Sequence, residues 1–450
     1  MPAFVNAMPY YPGRIVGPRF LIQCFVLAFG FFSQLNVIPT AFGVPFLRIT
    51  DIIVITTLPI IYLVYIRIIN STLFLIHTTP IVMTLFIALL LSYNRADGEH
   101  YSSIFTFLYI LYFLPFTFAL LKEDCLELFC WGVLLGFGAT VMCLLFDLYS
   151  PSTLSRFGLA LEFDYQAVAD AAATGDVNAS LIRFEKAGGL WSQGNEAGPV
   201  FALAAAAAAY LAEKRRSFLI FASFFLLYIV SFSATLNRSG MGTVLLVSIL
   251  SYTHSLSNKK LKLTALYAAL GAFLLSIILP LGLFGLIEGA VAKRFVEDDN
   301  AASNVFDRLE SLGYGVQVAM NSPFGIGLSA RVAEMNALGH FGSPHNGFIS
   351  TAFTAGVLIS IFVLGSVAYL IFRRRKIRFF LYVAVTLTCG YLFEELDVNP
   401  AFMCWAGLLI GYTALDLDFR LVRGPSILRR TLNHSPDEYP QRGYVSVAQS

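Results

Sequence analysis

Apolar runs near the ~20 residues that a helix needs to cross a hydrocarbon core recur twelve times along this 450-residue chain. They fall at about 20–41, 52–69, 72–92, 102–121, 125–147, 189–211, 217–235, 240–256, 263–287, 346–372, 378–395 and 401–417. A chain with so many runs is expected to be an all-α, polytopic integral membrane protein of about 12 transmembrane helices. Composition agrees: 57% of residues are hydrophobic and 13% charged, where a soluble domain is nearer one quarter charged. A soluble enzyme, a disordered chain and a disulfide-stapled secreted domain are all excluded on that ground. The net charge of +2 gives no reason to expect a nucleic-acid partner. Cys24, Cys130, Cys143, Cys389 and Cys404 lie within apolar runs and Cys125 at the edge of one, none at zinc-ligand spacing. They read as small apolar side chains.

Loop charge orients the set. With both termini in the cytoplasm, 20 of the 30 Lys and Arg residues fall on the cytoplasmic side, and the short outer loops hold three. The first run is too long for a signal-peptide core and lacks a small-residue cleavage site, so it is expected to remain as an anchor. The chain then divides into N-terminal helices (1–147), an outer loop (148–188), central helices (189–287), a large outer loop carrying short amphipathic helices (288–345), C-terminal helices (346–417) and a cytoplasmic tail (418–450).

Chemistry in such a chain belongs on the outer loops or at the outer ends of the helices. Within 288–345, Val305, Leu309, Leu312, Val316 and Ala319 follow helical spacing. This predicts an amphipathic helix at the outer interface, capped by Ser303 or Asn304 and ended by Pro323, presenting Arg308 toward the protein or a bound head group. An ordinary surface helix with a solvated Arg is the competing reading. Phe324-Gly325-Ile326-Gly327-Leu328-Ser329-Ala330 satisfies GxGxxA but has no βαβ context, so it reads as a loop rather than a dinucleotide site. His345 precedes an apolar run and would lie at the outer N-terminus of a span, where free N–H groups favour anions. No second ligand falls at metal spacing around it. Arg238, in the turn between two spans, would sit near membrane depth, where an unpaired charge is costly and a phosphate is a natural partner. Snorkelling to the head groups is the alternative there. Lys186 through Gly198 opens the sixth run with glycines suited to close helix packing, yet Asn195 and Glu196 have no packing rationale.

Taken together, these segments resemble the O-antigen ligase and polymerase superfamily of bacterial envelope glycan enzymes. Gly189…Asn195…Ala197-Gly198 is similar to that family's Gly-x-Phe-x-Asn-x-Asn stretch, and Asn237-Arg238-Ser239-Gly240 to its Ser-Arg-Gly turn. Arg308-x-x-x-Leu312 matches its Arg-x-x-x-Leu motif, and His345-Asn346 followed after nine residues by Gly356 matches its His-Asn-x9-Gly motif. Leu236-Asn237 departs from the family's small residues before the Arg, and Lys186, with Arg183 close by, stands where the family has an Arg. Ile359 departs at the last motif position.

The resemblance implies a glycosyltransferase of the bacterial inner membrane with a periplasmic active face. Its donor would be an undecaprenyl-diphosphate-linked glycan and its acceptor a glycan or lipid hydroxyl. The product would belong to O-antigen, capsule or exopolysaccharide, with a chain-length regulator or flippase as partner protein. Arg238 and Arg308 would stabilise the departing diphosphate, and His345 would activate the acceptor hydroxyl. Lys186, Arg183, Asn195, Glu196 and Asn346 would bind substrate. A diphosphate leaves readily, so neither metal nor cofactor is called for. The alternative is a transporter or flippase of a lipid-linked precursor. Against it stands the lack of paired halves with interrupted helices in matching positions.

Overall fold

The structure, a computed structural model, describes residues 18–35, 48–69, 125–149, 189–191, 194–235, 237–255, 301–326, 346–372, 377–393 and 404–413. It adds single positions at 112, 113, 116, 117, 119–121, 154, 157, 337, 401 and 402. The described residues are helical, with no strand among them. In chain order the helices are α1 (Pro18–Phe32), α2 (Ile49–Ile69), α3 (Leu126–Tyr149), a 3-10 turn at Gly189–Trp191, α4 (Gly194–Arg215), α5 (Phe218–Thr235) and α6 (Arg238–Ser255). There follow α7 (Ala301–Asn321), α8 (Gly347–Ala355), α9 (Val357–Phe372), α10 (Arg378–Phe393) and α11 (Cys404–Thr413). The expected runs at 72–92 and 263–287 and the tail lie outside the described residues. Among those described, one helix, Leu126–Phe146, is long and apolar enough to cross a membrane, and several shorter apolar helices accompany it.

Helix α4 is the hub. Ala202 and Ala204 through Ala209 are fully buried, and the helix packs against α3, α5, α6 and α10. Alanine combines the highest helix propensity with the smallest side chain that still allows close approach, so one Ala run serves four neighbours. Helices α1 and α3 run side by side in the same direction. Gly30 lies against Val133 and Gly136 against Phe31, so the backbones touch, and one turn further Thr140 donates its hydroxyl to the Gln34 carbonyl at 2.9 Å. Aromatic rings fill the space around them: Phe29 lies 5.1 Å from Phe116, and Phe129 lies 5.8 Å from Trp405.

Charges close one end of this bundle. Glu127 at the start of α3 pairs with Lys214 at 3.1 Å and with Arg215, both at the end of α4. Glu213 accepts from Arg378 at 3.0 Å, from the Tyr382 hydroxyl and from Ser251 at 3.3 Å, joining α4, α10 and α6. This is the end that loop charge assigns to the cytoplasm. Helix direction places the starts of α4 and α6 and the end of α10 at the opposite end.

Three expectations change. The sixth run, expected to begin its span at 189, opens with a 3-10 turn, and α4 proper starts at Gly194. Gly189 has φ +59°, and a Cβ there would meet the Leu144 backbone at 3.0 Å. The tenth run, 346–372, is two helices. Gly356 has φ +99°, which breaks the ladder, and the chain bends so far that Ser360 donates to the Phe348 carbonyl at 2.7 Å. In a continuous helix those residues would be about 18 Å apart. Finally, α7 starts at Ala301, so Ser303 and Asn304 are inside the helix rather than capping it.

Candidate functional site

The end of the bundle opposite the ion pairs gathers the segments that sequence singled out. Asn237 caps α6: its side-chain oxygen accepts from the Gly240 N–H at 2.8 Å. That position is favoured for Asn because the oxygen satisfies a donor that the helix cannot. Asn237 is buried beneath Gly198 of α4, where a Cβ would overlap the Asn237 side chain. In return, a Cβ at Gly240 would come within 2.7 Å of the Gly198 carbonyl and of the Tyr228 hydroxyl. Gly198 and the Asn237-Arg238-Ser239-Gly240 turn therefore form one close-packed joint. Arg238 is the first residue of α6, directly above it. Asn195 and Glu196 lie in the first turn of α4, before Gly198.

From this joint the contacts lead to the histidine motif. Thr243 of α6 is hydrogen-bonded to Cys389 of α10. Two residues on, the Tyr391 ring lies against Gly347, so closely that a Cβ there would overlap it, and packs at a tilt on Phe348, ring centroids 5.2 Å apart. Asn346 caps α8, its side-chain oxygen accepting from the Phe348 and Ile349 N–H groups at 3.1 Å each. Sequence assigned Asn346 to substrate; the structure gives its oxygen a helix to cap. Two first-turn amides of α8 and one of α6 are thus engaged. His345 also differs in context from expectation: the helix after it is the nine-residue α8, bent back on α9, rather than a full span.

Helix α7 joins the site from the other side. The Val357 N–H donates to the Pro323 carbonyl at 2.9 Å, just after α7 ends, and Gly356 packs on Phe324. Val318, Ala319 and Ile326 are buried with Ala352 of α8, flanked by Tyr314 and Ile349. Both helices run toward this junction, so they lie side by side in the same direction. Position 308 lies two turns before buried Gly315 on α7. The buried stripe of α7 is Ser311, Gly315, Val318 and Ala319, of which Val318 and Ala319 pack with Ala352 of α8; of the expected apolar face Ala319 is buried here while Val316 is exposed.

Arg183, Lys186 and His345 lie outside the described residues. Sequence reading did not single out Gln34. Its backbone carbonyl accepts from Trp191 Nε1 at 3.2 Å as well as from Thr140, tying α1 to the 3-10 turn. Its side-chain amide is buried with no hydrogen-bond partner among the described residues. No pattern of spacing marks such a residue. No protein-family model and no curated protein matches the chain.

Proposed function

We propose that the chain is a polytopic membrane glycosyltransferase of the bacterial inner membrane, acting at its outer face on an undecaprenyl-diphosphate-linked glycan. The observation that supports this reading is the convergence at one end of the bundle. Gly198, the Asn237–Gly240 turn and the Asn346–Gly347 turn, separated widely in sequence, are linked there through Thr243, Cys389 and Tyr391. The opposite end is closed by ion pairs among Glu127, Glu213, Lys214, Arg215 and Arg378.

In the reaction the acceptor hydroxyl oxygen bonds to the anomeric carbon of the donor. The bond from that carbon to the diphosphate breaks, and its electron pair leaves with the diphosphate. The hydroxyl proton passes to the His345 imidazole. Charge grows on the diphosphate as the bond breaks, so the fixed cations Arg238 and Arg308 favour the transition state over the ground state. Asn237 takes the Gly240 amide of α6 and Asn346 two amides of α8, which leaves more of the electrostatic load to those guanidinium groups.

The test is transfer by the purified chain, reconstituted in lipid with an undecaprenyl-diphosphate oligosaccharide and a glycan acceptor. Arg238→Ala and His345→Ala should each lower transfer by about 10²-fold or more, with insertion and melting temperature unchanged. Wild-type transfer rates in both variants would overturn the assignment.

A further inference from the structure

We propose that α7 lies between protein and lipid, its small-residue stripe on α8 and its opposite apolar strip inserted in the outer leaflet of the bilayer. This rests on the membrane reading above and adds a partner for a surface that no described residue covers.

The stripe of Ser311, Gly315, Val318 and Ala319 is buried. Away from it, Val316 is 43% exposed, Met320 74% and Phe324, just beyond the helix, 52%. Val316 and Met320 are four residues apart on one line of the helix, and Phe324 follows in the turn after it. Water is a poor partner for such a line, and contiguous exposed apolar surface marks an interaction site. The occupant follows from continuity. Pro323 and Phe324 pack against Gly356 and Val357, so the strip runs directly onto the start of α9. There Leu358, Ile361 and Leu364 are also about half exposed, the pattern of a helix side turned to lipid. One apolar surface therefore turns the corner from α9 onto α7. Gln317 and Asn321 are exposed beside it, which gives α7 the polar flank of an interfacial helix.

The consequence concerns the substrate. Lipid on one side and α8 on the other hold the axis of α7 at the level of the bilayer surface, and position 308 with it. A lipid-linked donor carries its diphosphate at head-group depth, so an Arg on this helix meets the charge without the lipid leaving the membrane.

The experiment places a tryptophan at one position at a time in the full chain, in vesicles of phosphatidylethanolamine and phosphatidylglycerol with acyl-brominated lipid. Fluorescence is read as the difference from the parent, which keeps Trp131, Trp191 and Trp405. Ile361→Trp on α9 reports the membrane reading itself. Met320→Trp should be blue-shifted and quenched within about twofold of Ile361→Trp, while Gln317→Trp should be neither. Quenching of Ile361→Trp without that of Met320→Trp overturns the proposal and leaves the membrane reading intact. A blue shift at 320 without quenching assigns the strip to a second copy of the chain and also overturns it. Equal quenching at 317 and 320 removes the orientation and the proposal with it. If no position is quenched, the membrane reading fails first.

Discussion

Asn237 shows how much one side chain can hold. It caps α6, fills the space that Gly198 leaves open, and so fixes the backbone from which Arg238 departs. Replacing Gly198 by Ala puts a methyl group into that side chain. The expected cost is about 1–3 kcal/mol from overpacking, with a further ~1 kcal/mol if the cap is displaced. Gly242→Ala is the control, because a Cβ there meets nothing within 4 Å; it should be neutral or stabilising by up to ~1 kcal/mol. Thermal melting checks both, and equal melting temperatures for the two variants would contradict the joint. The cap was not read from the sequence, although an Asn before an apolar helix is a cap signal. Its burial under Gly198 was not legible, because that contact joins two helices and no local pattern encodes it. Asn346 shows the same limit, since its place beside a histidine suggested ligand binding while its oxygen serves α8.

At the scale of elements, hydropathy finds apolar segments but is blind to backbone angles. The tenth run reads as one span because its residues stay apolar through the bend at Gly356, and a positive φ leaves no trace in composition. Gly356→Ala forces a Cβ into that conformation and to within 3.2 Å of the Phe324 carbonyl. The expected loss is about 1–3 kcal/mol, read as a lower melting temperature and as faster proteolysis between α8 and α9. An unchanged or raised melting temperature would mean that the bend is not held as described. Helix α7 illustrates a second limit. Periodicity gave a face of Val305, Leu309, Leu312, Val316 and Ala319, which the structure divides: Ala319 is buried with Val318 against Ala352, and Val316 is exposed beside Met320. Ser311 and Gly315, buried on the same side as Ala319, are too small or polar to register as hydrophobic.

Across the whole molecule the two ends differ in kind. One is fastened by Glu127, Glu213, Lys214, Arg215 and Arg378. The other collects the starts of α4, α6 and α8, with Asn195, Glu196, Arg238 and Asn346 at them. The helical class and the charge asymmetry were legible from apolar runs and loop residues, and the helices described fall within nine of those runs and the large outer loop. Their convergence was legible only through the resemblance, because sequence order carries no information on which helix ends meet. The most direct test of the proposed activity is made in cells lacking the gene, complemented with the wild-type chain or with Arg238→Ala. The surface polysaccharide and the lipid-linked glycan pool are measured together, with the pool assigned to the outer or inner face of the membrane. The account predicts that donor glycan accumulates on the outer face while long surface chains are lost, and that only the wild-type chain reverses both. Precursor confined to the cytoplasmic face would contradict it and identify a transporter.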